Sequence, residues 1–462
     1  MPRVTTLLPA TEAATPIRCV DAAGWPAVLA ALPPLAAAFA QASGFEAKPG
    51  RIALLPGADG RLETVLFGIE DKNKGKGDAF AVGRLPDALP EGTYRLADYP
   101  GDPALAALAW RLSGYRFGRY RDRAAPTARL AVPAGVDAAE IDRIADAVAA
   151  GRDLVNTPAN DLGPAEIEAA ARALAGRFGA ACTVVEGEAL ETGFPLIAAV
   201  GRASPRAPRL IDITWGDPSA PRVTLVGKGV VFDTGGLDIK PSAAMLLMKK
   251  DMAGAAVALA AAEMVMGAGL PVRLRVLVPT VENAVAGDAF RPGDVLKSRH
   301  GLTVEIGNTD AEGRLILADA LSLADEEAPE LVFDFATLTG AARVALGPDL
   351  PALFTEDDAL AAELAATGLA VNDPVWRMPL WAPYAGLLDS KVADLNNVSG
   401  GPFAGAVTAA LFLRRFAPAA KAHVHLDLYG WNPSGKPGRP EGGEVQTARL
   451  VYALLKARYG AR

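Results

Sequence analysis

Past about residue 160 the chain alternates two kinds of apolar pattern, and few folds accommodate that order. Short runs rich in branched residues, Leu210 to Thr214, Val223 to Val226, Val272 to Val278 and Leu331 to Phe335, are separated by longer stretches at helical spacing. Strands that alternate with helices predict a largely parallel sheet covered on both faces, because each parallel crossover has to travel over the sheet. The stretch Met252 to Val272 fits as one of the covering helices. It is rich in Ala and Gly and interrupted by Glu263, so it reads as a buried helix and not as a membrane span.

The residues ahead of this region follow a different pattern. The first hundred and thirty or so mix Pro-rich turns with short apolar runs such as Arg51 to Leu55 and Thr64 to Gly68, which predicts a small α/β domain. Asp71 to Asp78 is a charged Lys/Gly loop whose Gly-Lys-Gly lacks the spacing and the Ser/Thr of a phosphate loop, so it reads as a solvated hairpin loop. Asp137 followed by Glu140 makes a capping-box pattern, and Ile141, Ile144 and Val148 recur at helical spacing. This helix runs towards Asn156, stops at Pro158 and reads as an interdomain connector. A second helix opens at Pro164, places Ile167, Leu174 and Phe178 on one face and closes at Gly179. The expected organisation is a smaller N-terminal α/β domain over 1–135 and a connecting helix and linker over 136–160. A larger C-terminal α/β domain with a mostly parallel, helix-covered central sheet would fill 161–462.

A length of 462 residues agrees with more than one domain. The net charge of -7 supplies no broad basic field for a phosphate backbone, so nucleic acid is not an expected partner. Cys19 and Cys182 are too few and too far apart for a disulfide scaffold or a thiolate zinc site. They fit a reducing cytoplasm, and no apolar run of signal-peptide length precedes Glu12, so a cytoplasmic location and no membrane attachment are expected. With only His300, His423 and His425 available, metal chemistry here would rest mainly on oxygen ligands.

Two regions carry groups suited to such chemistry. In Asn308-Thr309-Asp310-Ala311-Glu312-Gly313-Arg314-Leu315, strand-like backbone would send Asp310, Glu312 and Arg314 to one side, two carboxylates beside one guanidinium. That arrangement suits a metal site with an anion clamp, although charged alternation by itself also describes a solvated strand. In the other region the strand ending at Val226 is followed by Lys228, Asp233, Lys240 and Asp251, and catalytic groups on open α/β sheets gather past the carboxyl ends of strands. Taken singly, Asp233 and Asp251 also read as turn or helix caps and Lys228 as a surface lysine. Lys249 and Lys250 are expected to stay solvated. Asp334, inside an apolar strand, reads as a buried acid satisfied by neighbouring backbone.

Order and spacing together resemble the leucyl aminopeptidase family, peptidase family M17. The resemblance lies in Val226 to Gly229, Phe232 to Gly236, Ile239 to Pro241, Lys250 to Met252 with Gly254-Ala255, Asn308 to Leu315, and Ala336 to Ala341, with Asp153 to Asn160 leading in. It covers residue 150 onward, and the first domain shares only position and size. The resemblance implies that Lys228, Asp233, Asp251, Asp310 and Glu312 ligate two divalent metal ions, Zn or Mn foremost and Mg or Co as alternatives. It implies Lys240 and Arg314 as the catalytic pair. Arg314, with the backbone at Leu338, would hold a bicarbonate. Met248, Thr337 and Gly340 would line the pocket for the N-terminal side chain. The implied substrates are peptides with a free N-terminus, and the implied assembly is a homo-hexamer.

Departures from the pattern are Asp238, an acid where the family has small polar residues, and the Pro/Gly-rich loop between Tyr429 and Glu444. Asp238 reads either as solvated or as a group that retunes Lys240, and the loop is in a place to reshape the substrate pocket. A catalytically silent structural or binding member is the alternative function, and intact ligand positions argue against it. A two-metal nuclease or phosphatase would leave the lysine ligand and the acidic charge balance unexplained.

Overall fold

The computed structural model describes residues 7–10, 13–71 and 77–460, so most of the charged Lys/Gly loop, residues 72–76, lies outside the described residues. Two compact units emerge: one runs to Ala149 and takes back Ser434–Glu441, and the other comprises Ala150–Pro433 and Gly442 onward. The helix Ala138–Asn156 passes from one into the other, with Asp137 Oδ1 accepting from the amides of Ala139 and Glu140 at its start.

The first unit holds a five-stranded sheet in the order Ile52–Pro56, Leu62–Gly68, Thr15–Val20, Gly92–Ala97, Ala128–Leu130. Only the first pair is antiparallel. The helix Pro103–Ser113 is capped by Asp102, and its buried Arg111 is neutralised by Asp142 and Asp146. The Pro/Gly-rich segment belongs here: Gly438 N donates to Ser113 Oγ at 2.7 Å, and the Arg439 guanidinium lies over the Phe80 ring.

The second unit is built on a nine-stranded sheet. Its centre, in the order Ala422–Asp427, Leu331–Ala336, Arg222–Gly227, Arg273–Asn283, is parallel, and Gly229–Asp233 adds to the last of these. The expected strand at 210–214 forms as Arg209–Trp215, but it runs antiparallel to Arg273–Asn283, and so does Ala181–Glu186 to it. The sheet is parallel in the middle and antiparallel towards its edges, where the connections no longer need a full crossover.

The helices Ala253–Gly267 and Glu312–Asp325 both pack on these central strands without packing on each other, one per face. The first is buried along nearly its whole length, and Glu263 is met by Arg177. Its start approaches the sheet closely: a Cβ on Gly254 would sit 2.1 Å from Phe335 O, so only glycine lets Asp251 reach the strand ends. Among the described residues no helix is long and apolar enough to cross a membrane.

Candidate metal and catalytic site

The candidate residues gather past the carboxyl ends of the central strands. Lys228 follows Arg222–Gly227, Asp233 ends Gly229–Asp233, and Asp251 lies in the 3-10 turn Met248–Met252 that feeds the buried helix. Asp310 sits in a turn, and Glu312 is the first residue of the helix Glu312–Asp325. The run 308–315 is therefore not a strand, and the period-two premise fails.

The consequence is specific. Two residues along a helix turn the direction by about 200°, so Glu312 and Arg314 point apart instead of together. Glu312 Oε1 lies 2.9 Å from Lys228 Nζ, whereas Arg314 donates to Asn397 O on the other side. Gly313 between them leaves room for Lys228, whose Cε would be 2.4 Å from a Cβ there. Glu312 also sits at the positive end of its helix, which favours a carboxylate.

One oxygen each of Asp233, Asp310 and Glu312 lie within 4.8 Å of one another. Lys228 Nζ is 2.8 Å from Asp251 Oδ2 and donates to Thr337 O, while Thr337 Oγ1 donates to Asp251 Oδ1 at 2.8 Å. Lys240 Nζ is 2.8 Å from Asp233 Oδ2 and pairs with Asp310. Four carboxylates thus face two ammonium groups, a negative excess inside the protein. Among the described residues, the buried Glu312 Oε2 has no hydrogen-bond partner.

The excess appears in the proton affinities. Burial, then the Asp233 charge, push Glu312 up to about 8, against the pull of Lys228. Burial and Asp233 push Asp310 up to about 6. Lys228 is held above the usual lysine range although burial opposes it, because Asp251 and Glu312 outweigh burial. A buried orphan oxygen, oxygen-rich donors and surplus negative charge are what a divalent cation requires, so the residues fit a metal.

Arg314 is buried, and burial lowers it to about 10 in spite of Glu312 and Asp427. It lines a cleft of about 690 Å³ with Asn308, Leu387, Asn396, Val398 and Gly405. The Leu338 amide donates to Asp427 Oδ1 at 3.1 Å. Of the pocket residues, Thr337 touches Lys228 and Asp251, Met248 begins the turn that carries Asp251, and Gly340 begins the helix Gly340–Leu346.

Three expectations are corrected. Lys250 is not solvated: it is 5% exposed, lies 4.6 Å from the Tyr429 ring centre, and burial lowers it to about 8. Lys249 is half-buried, donates to Asn156 O at 2.8 Å and sits over the Trp431 ring. Asp334 is buried, but side chains satisfy it and not backbone: His423 Nε2 at 2.7 Å and His425 Nδ1 at 2.6 Å. Both histidines lie on the neighbouring strand, with His425 in direct register with Asp334.

Sequence reasoning did not single out Asn283. Its Nδ2 donates to Asp233 Oδ1 at 2.8 Å and lies 3.2 Å from Thr309 O. It also missed Asn397, whose Oδ1 accepts from the Gly307 and Asn308 amides and steadies the run that follows. The only signal for Asn283 is its place at a strand end.

Residues 149–455 match the family described as "Cytosol aminopeptidase family, catalytic domain", and residues 15–133 match "M17 aminopeptidase, N-terminal domain". A probable cytosol aminopeptidase of Syntrophotalea carbinolica is 45% identical over 326 residues, 69% of this chain but only 65% of that protein's length. One from Roseiflexus castenholzii is 42% identical over 366 residues, 75% of this chain and 74% of its own. Among solved structures, cytosol aminopeptidase from Coxiella burnetii superposes with a TM-score of 0.93 at 46% identity, covering 97% of this chain and 98% of that one. The bottromycin maturation enzyme BotP in complex with Mn superposes with a TM-score of 0.86 at 36% identity, covering 96% and 100%.

Proposed function

The chain belongs to the M17 cytosol aminopeptidase family and is thus by family a metallo-aminopeptidase, and we propose that it releases the N-terminal residue of peptides by hydrolysis at the Lys228–Glu312 cluster. The observation that carries this reading is the surplus of buried carboxylate around Glu312 Oε2, which has no hydrogen-bond partner among the described residues. Lys228, Asp233, Asp251, Asp310 and Glu312 would hold two divalent ions, which when bound supply Lewis acidity and lower the pKa of water. Mn is supported by the Mn complex of the related enzyme BotP, with Zn as the alternative. Lys228 can bind an ion only as the neutral amine, so loading has to displace its proton.

Lys240, half-buried and already directed at Asp233 and Asp310, then acts as the donor that stabilises the oxygen turning negative in the tetrahedral intermediate. Arg314, fixed by Asn397 at the cleft wall, would hold a bicarbonate there, which when bound would supply a general base for the attacking water and an acid for the leaving amine. Thr337 keeps Asp251 aimed into the site through its hydroxyl. Met248, Thr337 and Gly340 border the place of the N-terminal side chain. We place the enzyme in the cytoplasm as a homo-hexamer on the family resemblance.

The test is protein stripped of metal, reloaded with Zn, Mn, Co or Mg, and given aminoacyl amides and N-acetylated peptides. Cleavage restricted to free N-termini, together with uptake of two ions per chain, is expected. Equal cleavage of blocked and free substrates would overturn the exopeptidase reading, and no hydrolysis with any metal would favour a silent scaffold.

A further inference from the structure

Residues 234–240 form a strap that leaves the end of Gly229–Asp233 and folds back until Lys240 N donates to Thr234 O at 2.9 Å. Gly235 has φ +88°, and a Cβ there would lie 2.5 Å from Asp238 O, so the strap closes more tightly than a side chain permits. Its large apolar side chains do not anchor it: Leu237 is 41% exposed and Ile239 63%. Hydrogen bonds have to hold the strap in place of burial.

Those bonds run to the turn that carries Asp310. Asp238 N donates to Thr309 Oγ1 at 2.8 Å, and Asp238 Oδ2 accepts from Thr309 N at 2.8 Å and lies 3.2 Å from Thr309 Oγ1. The Thr309 hydroxyl donates to Gly235 O at 2.6 Å, and Thr309 is fully buried. Its carbonyl accepts from Asn283 Nδ2, which also donates to Asp233 Oδ1. One connected set of bonds therefore joins Asp233, the Lys240 strap and the Asp310 turn.

We propose that Asp238 is a positioning residue, whose carboxylate clasps the Thr309 amide so that Lys240 and Asp310 keep their places around Asp233. This rests on the role proposed above for Lys240. Asp238 works by accepting a hydrogen bond and not by its charge, since the acids that meet the Lys240 ammonium are Asp233 and Asp310. An asparagine, which keeps the acceptor oxygen and loses the charge, should therefore preserve the clasp.

The experiment compares wild type, Asp238→Ala, Asp238→Asn and Lys240→Ala, each with a melting curve. It reads turnover of an aminoacyl amide with Mn, and hydrogen exchange of the segment containing Thr309 and Asp310 in metal-free protein. Asp238→Ala is expected to lower kcat by about 10- to 100-fold, the size seen when a group orienting a site residue is lost. KM should stay within about twofold, exchange of the segment should speed up, and Asp238→Asn should recover most of both losses. Wild-type kcat or wild-type exchange in Asp238→Ala overturns the proposal, and so does equal impairment of the Ala and Asn variants. If Lys240→Ala keeps full activity, the role given to Lys240 fails. If Lys240→Ala is impaired while Asp238→Ala is not, only the clasp fails.

Discussion

The same sheet buries two acid clusters, and they are built on opposite terms. Within the strands, Asp334 has both oxygens taken by His423 and His425. Burial alone would raise its pKa, but His425 and His423 outweigh burial and hold it down at about 2. Past the strand ends, Glu312 keeps a buried oxygen without a hydrogen-bond partner among the described residues and is pushed up to about 8. The lesson is that burial of acids does not mark a site. A cluster balanced by its own neighbours holds strands together, and one left with surplus charge waits for a ligand.

The largest expected effect comes from removing the surplus. Replacing Asp310 and Glu312 together by alanine should abolish binding of divalent metal, read as ion stoichiometry by elemental analysis, and with it all hydrolysis. Retention of two ions by that variant would break the distinction between the clusters.

Within the cluster of surplus charge the effects should be graded. Lys240→Ala should cost about 100- to 1000-fold in kcat with an unchanged melting temperature, the range for one lost oxyanion donor. Arg314→Ala should cost about a hundredfold, the low end of a general-base contribution, and leave metal stoichiometry intact. Steady-state kinetics beside ion analysis separates the two.

The balanced cluster should respond in stability and not in metal binding. Asp334→Asn leaves two buried imidazoles facing a neutral amide, and breaking a buried pair in this way costs about 3–5 kcal/mol. Denaturant melts are expected to show that loss while ion stoichiometry is unchanged. A variant that melts like wild type would mean the histidines do not depend on the charge of Asp334.

The pH dependence is subtler and differs in sign. Asp334 titrates lower folded than unfolded, so its contribution is present above the ordinary carboxylate range and is lost as pH falls towards about 2. His425 is raised by Asp334 against the effect of burial, so its contribution is full below the ordinary histidine range and fades as pH rises through its folded value. Glu312 titrates higher folded than unfolded, so metal-free protein binds more protons than its unfolded chain and loses stability as pH rises towards about 8. Melting temperature against pH for metal-free wild type and Glu312→Gln should show the part of that loss between about 6, where Asp310 titrates, and about 8 in the first and not in the second, and added metal should reverse it.

The sequence went far towards picking out the residues that gather at the candidate site, for a reason that has limits. Lys228, Asp233 and Asp251 follow strand and helix boundaries that apolar pattern reveals, and the strands at 222–227, 273–283 and 331–336 form where the runs lie. The run 308–315 put Asp310 and Glu312 beside Asp233 through a wrong geometry, because Glu312 and Arg314 stand on a helix. Lys250 was misjudged because a lysine's burial depends on what covers it, here the Tyr429 ring from a segment almost 180 residues away.

What the sequence determined by itself was local: where the apolar runs form strands or helices, and which chemical groups stand at their ends. Periodicity and capping are short-range properties, so they survive without knowledge of the fold. The tertiary structure decided charge balance. Whether an acid meets two histidines, two lysines or a threonine amide depends on strand order and on contacts between Asp238 and Thr309, or Asp334 and His425, that lie 71 and 91 residues apart. Electrostatic energy inside a protein is set by distance and burial in space, and neither is written in sequence spacing.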